Sequence, residues 1–368
     1  MAPRLADLLV DWQRRAGRHE LPWQRTRDPY RIWLSEIMLQ QTQVATVLGY
    51  YARFLERFPD LRTLADAPAD AVLGAWSGLG YYSRARNLHR CARAVVEHHG
   101  GRFPTDAATL ATLPGIGRST AAAIAAFATG APAAILDGNV KRVLARAFAI
   151  DGFPGEAAVE RRLWAIAERE LPEPGDGRVE AYTQGLMDLG ATVCVRVRPR
   201  CEACPLAIRC EARRQARVDA LPAPRPARAG ATRRAEWVLA TAGAAVLLER
   251  RPPAGLWGGL WSLPEFEPPR AVPAGARADA PIVDPRTVSD WLAARVGREA
   301  GTAAPHARVR HAFTHFRLQA RVWRCALPGD PGEAPPGHAW LTLAALEGAP
   351  LPRPVRVLLE ALRVAGPG

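Results

Sequence analysis

From residue 1 to about 217, apolar side chains recur at helical spacing, as in Ile32–Leu48, Ala69–Trp76, Arg84–His98 and Val140–Ala149. Proline and glycine interrupt the pattern at short intervals, at Pro59, Pro68, Gly78 and Gly100 among others. Met1–Gly17 reads as an amphipathic helix carrying Asp7 and Asp11, which a secretory signal would not tolerate. The run that begins Leu221-Pro-Ala-Pro-Arg-Pro has too little apolar surface to pack and reads as a partly extended linker. Beyond it the period shifts to strands at Trp237–Thr241, Ala244–Glu249, Val309–Thr314 and Arg317–Trp323, with helices at Val283–Val296 and Pro354–Leu362. The pattern predicts a multi-domain chain: an all-α domain over 1–217, a linker over 218–234 and a smaller α+β domain over 235–368.

A chain of 368 residues is long enough for such an arrangement, with a core in each domain. Its formal net charge of +13 changes the picture, because it calls for a polyanionic partner. Nucleic acid comes first and an anionic membrane second. Arginine supplies all of the basic residues but Lys141, so GC-rich coding is a competing source of the charge. The longest apolar stretch, Ser119–Leu136, is broken by Gly130 and Pro132 and makes a poor membrane span. A cytoplasmic, monomeric protein with no membrane partner is expected.

Of the six cysteines, Cys194, Cys201, Cys204 and Cys210 crowd into one short loop. A disulfide framework would spread them, so the crowding reads as a metal site. Soft thiolates select zinc or an iron–sulfur cluster. Zinc usually takes two short knuckles separated by a longer stretch. Here only Cys201 and Cys204 are closely paired, and the wider intervals suit a larger centre. Arg196, Arg198, Arg200 and Arg209 would present this loop to phosphates.

Leu113-Pro-Gly-Ile-Gly follows a short helix and opens a long one. Gly115 and Gly117 let the backbone turn sharply, and free amides at the next helix start suit a phosphate. That is the physics of a helix-hairpin-helix motif, although a plain tight turn shares the same signature. Ser35–Gln43 (SEIMLQQTQ) lies upstream of it and Leu136–Arg142 (LDGNVKR) downstream. With the cysteine spacing, these segments resemble the helix-hairpin-helix DNA glycosylases that carry a 4Fe–4S cluster, and within them the adenine DNA glycosylase (MutY) branch. The resemblance implies a six-helix module at about 29–135. It also implies an iron–sulfur module built from 1–28 plus 136–217.

Two carboxylates carry the implied chemistry. Glu36 lies among Ile32, Trp33, Ile37 and Met38, where the charged form is disfavoured and a proton is held near neutrality. That suits a general acid for a purine ring nitrogen. Asp137 precedes a helix, where amides and the helix dipole favour its anion beside a developing sugar cation. The resemblance assigns them the same roles. It further implies that Trp23, Gln24 and Gln184 line the base pocket and that Gln41 and Tyr81, with Leu79 and Gly80 in the same turn, wedge into the duplex. Asn139 and Lys141 are placed at the DNA. A glycosylase/lyase relative needs a lysine after the hairpin; the matching position here is Ser119, and a hydroxyl forms no imine. Monofunctional hydrolysis of adenine opposite 8-oxoguanine or guanine is expected. A bifunctional oxidised-pyrimidine enzyme and a non-catalytic iron–sulfur DNA-binding protein are the alternatives. The last domain resembles the Nudix-like domain of the family, without the glutamate-rich helix of a Nudix hydrolase. Its Phe313-Thr314-His315 matches the family's Phe-Ser-His loop toward oxidised guanine, with threonine in place of serine.

Overall fold

The computed structural model describes residues 3–226, 231–267, 283–313 and 316–365. They divide into two compact units, Met1–Ala67 with Arg86–Ala227, and Pro68–Ala85 with Arg228–Gly368. The sequence pattern carried Pro68–Ala85 with the helical domain; the structure gives it to the second unit. Arg250 grips Asp70 through two hydrogen bonds of 2.6 and 2.5 Å, and Tyr82 donates to the Leu351 carbonyl at 3.0 Å. A side chain on Gly74 would meet the Gly348 carbonyl oxygen at 2.6 Å, so that contact is backbone against backbone.

In the first unit α1 (Leu5–Ala16), α2 (Pro29–Leu39), α3 (Val44–Arg57) and α4 (Leu61–Asp66) come first. After α5 (Ala69–Ala75), which belongs to the second unit, follow α6 (Ser83–His98), α7 (Ala107–Leu110) and α8 (Arg118–Thr129). The unit closes with α9 (Gly138–Ala147), α10 (Ala157–Arg169), α11 (Val179–Thr192) and α12 (Glu211–Arg214). The single apolar run expected over Ile32–Leu48 is broken at Gln40–Gln43, because Gln41 adopts φ +58° and turns the chain between α2 and α3. Leu5, Leu9 and Val10 of α1, Val140 and Leu144 of α9, Leu163 of α10 and Leu186 and Leu189 of α11 share one buried core. That packing brings the amino terminus and the post-hairpin helices together, far apart as they are in sequence. The chain leaves the unit tied down rather than free: Leu221 is buried and its carbonyl accepts from Arg146 Nε at 2.8 Å.

The second unit is a mixed sheet in the order β3-β2-β1-β6-β5, with β4 on β1 and β7 on β2. The strands are β1 (Ala231–Ala242), β2 (Ala245–Arg250), β3 (Trp261–Ser262), β4 (Glu265–Phe266), β5 (Ala304–Ala312), β6 (Phe316–Ala326) and β7 (His338–Thr342). β1 begins inside the stretch expected to be linker, because parallel pairing with β6 starts at Ala231↔Phe316. Alternation along β1 decides what covers each face. Trp237 and Leu239 meet Val355 and Leu359 of α14 (Arg353–Ala365). Val238 and Ala240 meet Val288 and Leu292 of α13 (Pro285–Val296) on the other side. Among the described residues no helix is long and apolar enough to cross a membrane.

Candidate active site

A cavity of about 280 Å³ opens in the first unit, and Trp23, Gln24, Glu36 and Gln184 all line it. Glu36 projects from α2, whose start is set by Pro29 and by Asp28 accepting from the Tyr30 amide at 3.0 Å. Its neighbours Ile32, Trp33, Ile37 and Met38 are buried. Burial first, and the Asp137 charge second, push the Glu36 carboxyl up to about 8. The same coupling shows that the two acids share one electrostatic neighbourhood, although they lie on separate helices.

Asp137 caps α9, and its Oδ1 accepts from the Val140 amide at 2.8 Å. The preceding residue is held too, since the Leu136 amide donates to Ser119 Oγ at 2.9 Å. The cap was expected to leave Asp137 an easy anion. Instead, burial lifts its pKa above the ordinary aspartate value. The Val140 and Asn139 amides and the Arg142 guanidinium pull the other way without winning. A cap is legible in sequence; the desolvation around it is not.

A polar floor that sequence reasoning missed lies beneath the cavity. Asp188 on α11 is fully buried and takes the Arg18 amide at 2.8 Å, Arg18 Nε at 2.7 Å and Gln184 Nε2 at 2.8 Å. The Gln184–Asp188 spacing of one helical turn was the only signal available. Gln24 Oε1 accepts from the Leu21 amide at 3.2 Å, while its Nε2 is buried without a partner. Trp23 stands edge-on to Tyr51 with ring centroids 5.2 Å apart.

At the hairpin only one glycine is demanded by conformation. Gly115 has φ +79°, and a Cβ there would strike Asn87 Cβ at 2.7 Å. Gly117 has ordinary extended geometry and open space around it, and it caps α8. Asn139 packs against Gly190, where a Cβ would come within 2.6 Å, and accepts from Arg142 at 2.9 Å. Lys141 pairs with Glu160 at 2.7 Å. Gln41 is exposed in the left-handed region, in the first unit. In the second unit Tyr81 is 49% exposed at φ +48°, preceded by Gly80 at φ +73°, whereas Leu79 is buried. Arg84 lies over both the Trp76 and Tyr81 rings.

Cys194, Cys201, Cys204 and Cys210 line one small cavity with Arg146, Arg200 and Arg213. Burial pushes Cys204 up to about 12, and neighbouring sulfurs add to the shift. Among the described residues no three metal-binding side chains are already gathered around a single ion position. Arg146, also unforeseen, is the buried hub of this loop: it donates to the Val195, Arg196 and Val218 carbonyls and reaches Cys194 Sγ at 3.4 Å. In the second unit Phe313 stacks on Phe316 at 4.6 Å and contacts His311 and Trp257. Thr314 and His315 lie outside the described residues.

Residues 34–169 match the HhH-GPD superfamily of base excision DNA repair proteins, and residues 236–361 match the NUDIX domain. A solved thermostable thymine-DNA glycosylase is 30% identical, with a TM-score of 0.51, over 57% of this chain and 95% of that one. Fold and hairpin thus define a helix-hairpin-helix base-excision protein with a Nudix-like domain appended. The adenine DNA glycosylase of Buchnera aphidicola subsp. Baizongia pistaciae is 38% identical over 70% of this chain and 72% of its own length. The human adenine DNA glycosylase is 36% identical over 91% and 69%. The chain belongs to the adenine DNA glycosylase family.

Proposed function

We propose that the protein is a monofunctional, monomeric glycosylase that hydrolyses the N-glycosidic bond of adenine opposite 8-oxoguanine or guanine in duplex DNA. The observation that carries this reading is the cavity holding Glu36, with its proton retained to about pH 8, coupled to Asp137. Glu36 donates that proton to a ring nitrogen of the flipped adenine, which makes the base a better leaving group. Asp137 is held by its capping amides, and its anion stabilises the cationic sugar as the bond opens. Ser119 serves as a brace for the Asp137 segment rather than as a nucleophile, and Lys141 is neutralised by Glu160. Gln41 and Tyr81 offset the lost stacking by entering the duplex; an exposed side chain on a left-handed backbone is a costly arrangement that function explains. The hairpin amides at Gly117 and α8 hold a phosphate.

The four-thiol loop fits a 4Fe–4S cluster, because the four sulfurs line one small cavity and burial there disfavours the bare thiolates of Cys201, Cys204 and Cys210. Cys194, Cys201, Cys204 and Cys210 would hold it. When bound, it shapes a basic loop for the DNA backbone. Phe313 and its neighbours Thr314 and His315 are assigned to the oxidised guanine. Duplexes with adenine opposite 8-oxoguanine, guanine and thymine test the whole reading, with and without alkali after the reaction. Release from the first two, and strand breakage only after alkali, is expected. Cleavage without alkali, or no adenine release, would overturn it.

A further inference from the structure

We propose that Asp188 is a positioning residue that fixes which end of the Gln184 amide faces the base, so that the pocket reads the 6-amino group of adenine. This rests on the function proposed above. A side-chain amide can present either a carbonyl oxygen or an NH2 group, and only its partners decide which. Asp188 is a fully buried carboxylate with the Arg18 guanidinium and amide on it, so it accepts and does not donate. Gln184 must therefore turn Nε2 toward Asp188, at 2.8 Å. Its Oε1 is left for the cavity that Gln184 lines. Gln24 is oriented the opposite way, because the Leu21 amide occupies Oε1 and leaves the buried Nε2 unpaired.

The pocket thus has one acceptor of fixed orientation on Gln184, and in Gln24 a buried donor that no protein group occupies. An adenine edge carries an N–H donor on its 6-amino group beside a ring-nitrogen acceptor, which is the matching complement. Guanine and hypoxanthine carry an oxygen at that carbon, which would face the Gln184 oxygen with no proton between them. A buried polar group left unpaired is the stronger source of rejection. Without Asp188 the Gln184 amide is free to turn, and the pocket accepts either pattern.

The test compares duplexes that carry adenine, purine (no 6-substituent) and hypoxanthine opposite 8-oxoguanine, under single-turnover conditions, for the parent and Asp188→Asn. The expected result is an adenine-over-purine preference lowered by about 10-fold, the order of one hydrogen bond. Purine release itself should be nearly unchanged, and hypoxanthine should gain on adenine. A role confined to folding would slow all three substrates alike. Should Asp188→Asn fail to fold, Gln184→Met decides, because Gln184 is only half-buried and its loss leaves Asp188 paired with Arg18. It should show the same flattened preference. A parental preference in whichever variant folds overturns the proposal while adenine release by the parent leaves the function standing. No adenine release by the parent sinks both.

Discussion

The cavity around Glu36 and the aromatic platform around Phe313 follow opposite building rules. In the first, charge and polarity are drawn out of water and held by partners: Asp188 by Arg18, Gln184 by Asp188, Asp137 by the Val140 amide. In the second, rings pack on rings, Trp237 on Trp257 and Trp257 on Phe313, with Phe313 stacked on Phe316 at an interplanar angle of 19°. His311, the titratable member, has its pKa lowered by burial and by Arg353, so it leans to the neutral form. Bond breaking needs a desolvated proton and a poised anion. On the proposed function, the platform reads the base opposite the target by shape, without a buried charge. That reading separates chemistry from specificity within one chain.

The largest expected effect breaks the cavity alone. Glu36→Gln removes the proton donor while keeping the shape, and adenine release should fall by about 10²–10⁴-fold. Duplex binding should stay near the parental value. In the parent, release should decline as pH rises through about 8, the point at which Glu36 loses its proton. A variant with parental turnover, or a parental rate still rising above that pH, would remove Glu36 from the mechanism.

A smaller effect belongs to the platform. Phe313→Ala deletes a half-buried ring that contacts Trp257, His311 and Phe316, at a stability cost of about 1–3 kcal/mol, below that of a fully buried ring. Adenine release opposite guanine should be nearly unchanged, and the preference for an 8-oxoguanine partner should drop by about 10-fold. Equal slowing opposite both bases would mean that the platform serves chemistry after all.

The same contrast explains what could be read from the chain. The hairpin, the thiol spacing and an acid inside an apolar helix are local patterns, and each is where the sequence places it. Arg18 and Asp188 meet across 170 positions, and Asp188 looks in sequence like any acid on a helix. Arg146 reads as an exposed charge in α9 until the loops that it holds have folded around it. Asp137 shows the same limit: its cap is a matter of three residues, while the burial that raises its pKa is a matter of the whole unit. Pro68–Ala85 has a helical pattern that fits either unit, and it takes distant contacts such as the Gly74–Gly348 approach and the Asp70–Arg250 pair to decide.

The last effect is thermodynamic, and its sign differs between the two regions. Glu36 has a native pKa of about 8 against 4.5 for the ordinary glutamate, so the folded state keeps a proton that the unfolded state gives up. Below pH 4.5 both states hold it, and the residue adds no pH dependence. Between the two values the unfolded state binds fewer protons, and native stability falls as pH rises. Above about 8 the full cost is present. Glu36→Gln removes this cost, so the variant should melt higher than the parent, by a margin that widens from about pH 4.5 to 8 and then levels. Phe313→Ala should melt lower than the parent, by a margin that is constant above the ordinary histidine range and shrinks below it, where the uncovered His311 takes a proton more readily. Melting curves of parent and both variants across that range distinguish the two cases. A Glu36→Gln margin that stays flat with pH would mean that the carboxyl is not desolvated, and the cavity would lose the property that sets it apart from the platform.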